Sequence, residues 1–511
     1  MAERKPAIVF IGFMGAGKST ALAAARAAGL ETVEIDDLME RELGKPIARA
    51  FEEEGEEAFR AREAEVVGSL LERADGGAIA LGGGSVLSER IRAALDRHVV
   101  VWLEVDPSEA WRRIQGSNRP LATGAADVER LLAERLPLYE ELADAIVPMA
   151  DRNVVSRALP AIQALPSLPA GTKLLWAASA SGDYPILVGP GLLASGWWPL
   201  EGRRFCLTDR AVGPLFGGQL GDLAATVEVE AGEGAKTMGW AEEVLRQLAQ
   251  AEMTREDHLV ALGGGVVGDL GGFCAHLYQR GVEVVHVPTT LVSQVDSAYG
   301  GKTGVDLPEG KNYAGAYHLP AAVLADTGTL ASLPKAELAA GFVEVLKTGL
   351  LAGGALWERV RTIGALDPAD LDDVVFACAR YKCGVVAADE RDAGLRNVLN
   401  LGHTVGHAIE AATDYRRYRH GEAISLGLLA ALRLSQAPEL REECEAILAR
   451  HELPVRLDPA VAIEDVLGAV QHDKKRTAAG VGFVLLSEPG KPRTGQVLDP
   501  ANVRAAVEEL Y

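Results

Sequence analysis

Apolar runs alternate with amphipathic stretches through the first third of the chain. Ile8–Ile11 is a short β-branched run that ends in glycines, and Ser19–Ala28 is Ala-rich with helical spacing and is closed by Gly29. Val99–Val105 is a second strand candidate, and Asp127–Glu141 repeats its apolar positions at the helical period. This strand–helix alternation predicts a parallel sheet flanked by helices. Between Leu159 and Gly171 the pattern breaks at Pro160, Pro166, Pro169 and Gly171, which predicts a short, stiff connection. Strand patterns resume at Lys173–Ala178 and Tyr184–Val188, then at Phe205–Leu207, His258–Leu262 and Val284–Val287. Beyond Leu330 the chain turns to long Ala/Leu/Glu-rich helical segments such as Lys335–Leu351 and Leu371–Asp389. The expected division is a first α/β domain over 1–164, a linker over 165–172, a second α/β lobe over 173–330 and an all-helical lobe over 331–511.

The composition suits this division. The 511 residues carry 48% hydrophobic and 24% charged side chains, enough for several cores. A formal charge of -21 argues against a nucleic-acid or anionic-membrane surface, while leaving room for local cationic pockets that take small anions. The five cysteines are scattered without a CxxC pair, as expected of reduced thiols. No leader-like N-terminus and no apolar stretch of about 18 residues is present, so a cytoplasmic location is expected.

Gly12-Phe-Met-Gly15-Ala16-Gly17-Lys18-Ser19 matches G-x-x-x-x-G-K-[ST] between a strand and a helix. Glycines let backbone N–H groups wrap phosphates, and the helix N-terminus adds positive potential. Lys18 reaches the β- and γ-phosphates, and Ser19 ligates Mg²⁺. Further along stand Glu34-Ile-Asp36, Gly55-x4-Arg60-x2-Glu63, Gly82-Gly83-Gly84, Arg119-Pro-Leu and Arg135-Leu-Pro-Leu-Tyr139. In this order after this loop, the segment over about 5–165 resembles shikimate kinase. The resemblance implies that Gly15, Ala16, Gly17, Lys18, Ser19 and Thr20 hold ATP, with Mg²⁺ at Ser19. It implies that Asp36 binds the acceptor hydroxyls and takes a proton, and that Arg60 and Arg135 grip the shikimate carboxylate beside Gly83 and Gly84. Arg119, in a lid, would stabilise charge on the transferring phosphate. The family's usual Asp-x-Asp is Glu34-x-Asp36 in this chain.

In the second half, Gly263-Gly264-Gly265-Val266-Val267-Gly268-Asp269 contains G-x-G-x-x-G after a strand, but no acidic residue ends the next strand, so a simple dinucleotide reading does not close. Asp209, after an earlier strand, is the better ribose candidate. Gly301-Lys302-Thr303 does not complete a second phosphate loop, because Asp296 stands where a glycine is required. His403 and His407, four apart on one helix face, form a candidate chelating pair, with His420 and Glu344 as competing ligands.

Lys311-Asn312, Glu344-x2-Lys347, Arg396-x3-Asn400-x2-His403-x3-His407, His420-Gly-Glu422 and Asp473-Lys474-Lys475 follow in order. Together these blocks resemble 3-dehydroquinate synthase over about 173–511. The resemblance implies Zn²⁺, or another divalent metal such as Co²⁺, on Glu344, His403 and His420, with His407 beside the metal as a proton-transfer or substrate residue. NAD⁺ would lie against Asp209, Glu233, Lys236, Gly264, Gly265, Val266, Val267, Asp269, Thr289, Thr290 and Thr329-Leu330-Ala331-Ser332. Arg280, Asp296, Lys302, Lys311, Asn312, Lys347, Lys382, Arg396, Asn400 and Lys474 or Lys475 would grip a seven-carbon sugar acid phosphate. Of these, Lys347 and Arg396 would join His407 in catalysis. The implied whole is two activities of aromatic amino acid biosynthesis. One is phosphorylation of shikimate; the other is cyclisation of 3-deoxy-D-arabino-heptulosonate 7-phosphate to 3-dehydroquinate and phosphate. A homodimer through the second half is expected. A different sugar phosphate cyclase, or a first half reduced to a regulatory nucleotide-binding module, are the competing readings.

Overall fold

The computed structural model describes residues 4–115, 124–471, 476–477 and 480–511. Arg119, Lys474 and Lys475 lie outside the described residues. The chain divides into two compact units: one gathers Met1–Ala178 with Tyr184–Leu187, and the other Ser179–Asp183 with Val188–Tyr511.

In the first unit, strands β1 (Ile8–Ile11), β2 (Thr32–Glu34), β3 (Ala78–Ala80), β4 (Val99–Glu104), β5 (Ala145–Pro148) and β6 (Lys173–Ser179) lie in the order β2-β3-β1-β4-β5-β6. Their pairings are parallel, with Ile8 opposite both Ala78 and Val99. Helices cover such a sheet, which is why β1 reads as an unbroken apolar run and is buried throughout. β1 is also where the strand order reverses, so its C-terminal end opens a crevice for a ligand. The helix α1 (Lys18–Ala27) starts there. A helix runs over Val154–Ala164 with Pro160 inside it and ends where the expected linker over 165–172 begins. Strand β6, expected to open the second domain, pairs with β5 at Leu174 and Leu175 and packs with the first unit.

In the second unit, β7 (Arg204–Asp209), β8 (Leu223–Val229), β9 (His258–Gly263), β10 (Glu283–Pro288) and β11 (Ala322–Asp326) form a parallel array in the order β11-β10-β9-β7-β8. Phe205, Leu207, Leu259, Ala261, Leu270 and Phe273 make its core. The helix α2 (Gly265–Leu277) leaves the C-terminal end of β9. The helical lobe follows, with α3 (Lys335–Ala352), α4 (Asp372–Ala388), α5 (His403–Ala412) and α6 (His420–Leu434). It is not purely helical: Gly480–Leu486 and Pro492–Val497 pair antiparallel. Gly421 allows α6 to lie against α3, since a Cβ there would come 1.9 Å from the carbonyl oxygen of Ala340. Among the described residues no helix is long and apolar enough to cross a membrane.

Candidate active sites

The phosphate loop at the end of β1 depends on glycine geometry. Gly15 and Gly17 sit at φ 78° and 87°, and a Cβ on Gly17 would fall 2.8 Å from Met149 Cε. Lys18 Nζ donates to the carbonyls of Gly12 (2.9 Å) and Phe13 (3.0 Å), bridging the loop. Ala16 is buried in the loop, and Ser19 and Thr20 lie in the first turn of α1. Ser19 Oγ donates to Glu34 Oε1 at 2.6 Å, so the carboxylate that departs from the family pattern faces the expected Mg²⁺ ligand.

Beside the loop, the expected acceptor residues converge. Arg60 Nη1 donates to Glu63 Oε2 at 2.6 Å, and a Cβ on Gly84 would come 2.3 Å from Arg60 Nη2. Arg135, buried, donates to the carbonyl of Gly83 at 3.3 Å, and Tyr139 Oη donates to the same oxygen at 2.6 Å. A Cβ on Gly82 would lie within 3.3 Å of both Asp36 Oδ1 and Glu63 Oε1. Asp36, Arg60, Gly83, Gly84 and Arg135 are thus brought together. Glu63 and Tyr139 had no assigned role. The buried Glu63 carboxylate holds Arg60 and also accepts from Ser85 Oγ at 2.6 Å. Its only sequence signal was its position three residues after Arg60.

In the second unit the nucleotide set gathers at the C-terminal ends of β9 and β10. Thr289 N donates to the Gly263 carbonyl at 3.0 Å. A Cβ on Gly264 would meet Thr290 Cγ2 at 3.0 Å, and one on Gly265 would meet Ser297 Oγ at 3.1 Å. The hydroxyl of Thr289 is buried without a partner. Val266 and Val267 follow in the first turn of α2, with Val267 in the core. Asp209, at the end of β7, accepts from the backbone of Ala211 and Val212 at 2.8 and 2.9 Å. Lys236 pairs with Asp269, whose carboxyl is held above its usual range by burial in spite of that lysine. Glu233 lies 3.3 Å from Lys311. Thr329, Leu330, Ala331 and Ser332 form one turn, in which Thr329 Oγ1 donates to the Asp326 carbonyl at 2.7 Å and Ser332 Oγ to Thr329 at 2.8 Å.

Of the cationic set, Lys347, Lys382 and Arg396 are buried, Lys311 is half-buried and Lys302 is exposed. Lys382 donates to the Asp296 carbonyl at 2.6 Å and pairs with its carboxylate, and Lys347 lies 3.9 Å from the same group. Burial pushes the Lys382 ammonium below its usual range despite Asp296. Buried Arg396 donates to the carbonyls of Gly300 (3.3 Å) and Glu390 (3.1 Å). Lys302 pairs with Asp392, which had drawn no attention in the sequence. The Asn312 backbone N–H donates to Asp306 Oδ1 at 2.7 Å, and Asn400 Nδ2 donates to Asn397 O at 3.1 Å. Arg280 is exposed in the turn that follows the C-terminus of α2.

Next to this set, Glu344, His403 and His420 offer ligand atoms within 4.8 Å of one another. Their elements are α3, α5 and α6. His403 Nε2 is 3.6 Å and His420 Nε2 is 3.4 Å from Glu344 Oε1. Both Glu344 oxygens are fully buried, Oε2 in ion-pair contact with Lys347 and Oε1 turned to the two imidazoles. Burial alone would raise this carboxyl; Lys347, His403 and His420 hold it well below the usual range. A buried, ionised oxygen facing two imidazole nitrogens is a donor set that fits a divalent cation. The His403/His407 pair suggested by spacing is only half used. The His407 ring is 5.1 Å from that of His403, but its side chain is half exposed, and it falls with Glu410 and His420 in a second possible cluster. Glu410, buried, is the residue the sequence did not single out.

A phosphate-loop unit followed by a two-lobed unit with a nucleotide edge and a buried metal-type centre defines a fusion of two catalytic domains. The shikimate kinase family model matches residues 14–164, and the 3-dehydroquinate synthase N-terminal and C-terminal models match 226–340 and 341–476. A 3-dehydroquinate synthase from Symbiobacterium thermophilum is 41% identical over 350 residues, covering 64% of this chain and 98% of that protein. One from Halorhodospira halophila is 42% identical over 331 residues, with 62% and 93% covered. A solved structure of a 2-epi-5-epi-valiolone synthase from Streptomyces hygroscopicus subsp. jinggangensis 5008, with NAD+ and Zn2+ bound, is 26% identical at a TM-score of 0.57 over 65% of this chain and 98% of that one. The chain belongs to the 3-dehydroquinate synthase family and, with its first unit, is a shikimate kinase/3-dehydroquinate synthase fusion.

Proposed function

We propose that both units are active, each through the residues gathered above. In the first, the P-loop amides and Lys18 hold the ATP phosphates. Arg60 and Arg135 clamp the shikimate carboxylate, and Asp36 orients the attacking hydroxyl and accepts its proton. Mg²⁺ at Ser19, with Glu34 close by, would neutralise phosphate charge. Arg119 is assigned to the transferring phosphate by the family resemblance alone.

In the second unit Glu344, His403 and His420 would hold Zn²⁺ or Co²⁺, which polarises a substrate hydroxyl when bound. NAD⁺ against Asp209, Gly264, Gly265, Asp269, Thr289 and Thr290 would supply the redox chemistry, accepting a hydride and returning it. Lys347, Lys382, Arg396, Asn400, Lys302, Lys311 and Asn312 bind and orient the phosphate and carboxylate of the seven-carbon sugar acid, and Lys474 or Lys475 joins this set by resemblance. Lys347 and Lys382 pair with the carboxylates of Asp296 and Glu344, and buried Arg396 adds a planar cation suited to a phosphate or carboxylate. His407, the exposed histidine beside the centre, is placed to move protons to and from the substrate. The single observation that carries this reading is the buried Glu344 carboxylate, whose Oε1 faces the Nε2 atoms of both His403 and His420.

Two assays on the purified full chain test the proposal: NAD- and metal-dependent phosphate release from 3-deoxy-D-arabino-heptulosonate 7-phosphate, and shikimate-dependent ADP formation. Activity in both is expected; silence in either refutes the reading for that unit. A homodimer and a cytoplasmic location complete the proposal. Support for the dimer comes from the family resemblance alone. A monomeric mass by light scattering at assay concentration would overturn the dimer.

A further inference from the structure

Each imidazole of the metal-type centre has two ring nitrogens, and which one is free to ligate depends on what the other one meets. In His403, Nδ1 lies 3.1 Å from the backbone oxygen of Leu401. A carbonyl can only accept, so Nδ1 carries the proton and Nε2, on the Glu344 side, presents its lone pair. In His420, Nδ1 faces a carboxylate instead: Glu410 Oε2 at 3.4 Å, while Nε2 again faces Glu344 Oε1 at 3.4 Å. Glu410 is 3% exposed, and no catalytic or binding role has been given to it above. Its other oxygen is 3.8 Å from Lys311 Nζ, and Lys311 is in turn 3.3 Å from Glu233.

Resting on the metal reading of Glu344, His403 and His420, we propose that Glu410 is a positioning residue. Its carboxylate fixes the His420 ring with the proton on Nδ1 and the lone pair on Nε2, and ties that ligand to the substrate-side cation Lys311. A carboxylate behind a ligating histidine orients the ring and raises its basicity, and its removal typically weakens metal binding about 10–100-fold. The geometry separates this role from direct ligation. Glu410 approaches His420 from the Nδ1 side, whereas Glu344 approaches it from the Nε2 side, so one ion on Nε2 has Glu344 as its carboxylate. The cluster of His407, Glu410 and His420 would need the opposite tautomer of His420, with the ion on Nδ1.

The test is Co²⁺ affinity and spectrum on the full-length chain, stripped of metal and titrated against a chelator of known affinity. For Glu410→Gln, about a 10–100-fold loss of affinity is expected, with the visible Co²⁺ bands kept at saturation because the ligands are unchanged. Glu410→Asp should recover part of the affinity. Shikimate-dependent ADP formation and the far-UV circular dichroism of the same preparations report that the chain has folded. Affinity within twofold of the parent in Glu410→Gln would overturn the proposal. So would a change in the Co²⁺ bands matching that of His420→Ala, which would make Glu410 a ligand. If Glu344→Gln leaves Co²⁺ affinity unchanged, the metal reading itself fails, whatever Glu410 does.

Discussion

Replacing Glu63 by glutamine tests whether the acceptor site of the kinase unit is held in shape by a buried charge. Glu63 accepts from Arg60 Nη1 and from Ser85 Oγ, both at 2.6 Å, and is 2% exposed. Glutamine has the same shape, but its amide offers one acceptor and one donor. If the oxygen stays toward Ser85, the NH2 group faces a guanidinium N–H at the old contact, donor against donor. One charge-assisted hydrogen bond is then lost, worth about 1.5–3 kcal/mol. Arg60 is about one quarter exposed at its side chain and can relax toward Glu56 and water, so the lower half of that range applies. At about 1.4 kcal/mol per tenfold, a loss near 2 kcal/mol becomes roughly a 10–30-fold rise in KM for shikimate, with kcat changed by less than about threefold. The assay is ADP formation at varied shikimate and saturating ATP, with phosphate release by the synthase unit as an internal control. Arg60→Met should shift KM in the same direction and further. A KM within twofold of the parent in Glu63→Gln, alongside a raised KM in Arg60→Met, would refute the argument that Glu63 positions the guanidinium.

Lys18→Ala should abolish shikimate-dependent ADP formation and leave phosphate release intact, and His403→Ala should do the reverse; paired assays on each variant check this. Gly421→Ala places a methyl 1.9 Å from the Ala340 oxygen, forcing apart the helices that carry His420 and Glu344. It should cost at least about 1–3 kcal/mol and release bound metal, measured by thermal unfolding and metal content. His286 is fully buried with Nδ1 unpartnered, and burial, reinforced by nearby His318, pulls its pKa from 6.5 down to about 4. The unfolded chain therefore binds more protons between those values. The contribution of neutral His286 is complete above pH 6.5 and declines by about 3 kcal/mol as pH falls to about 4. In urea titrations across that range, His286→Leu should flatten the pH dependence of the second unit's stability.

What could be read from the sequence follows how local the chemistry is. The phosphate loop was legible because Gly12 to Ser19 carry the turn, the amides and the cation in one contiguous stretch, so the strand-to-helix pattern around them sufficed. The metal-type centre was not legible in that way. Spacing proposed His403 with His407 because four residues bring two side chains to one helix face. The packing of α6 against both α3 and α5 places Glu344 and His420 on His403 and leaves His407 half exposed. The acidic partners were the hardest to see. Glu63 and Glu410 are the same residue type as the many solvated carboxylates of a chain with net charge -21. Only burial beside a particular cation or imidazole distinguishes them, and burial is a tertiary property. The strand after the linker shows the same limit. Lys173–Ser179 was recognisable as a strand from its apolar run, but nothing within it says that Leu174 and Leu175 will pair with Ala145 and Ile146. A site residue can thus be read from sequence when its partners are sequence neighbours. When a buried carboxylate decides which nitrogen of a distant histidine is free to bind, only the fold reveals it.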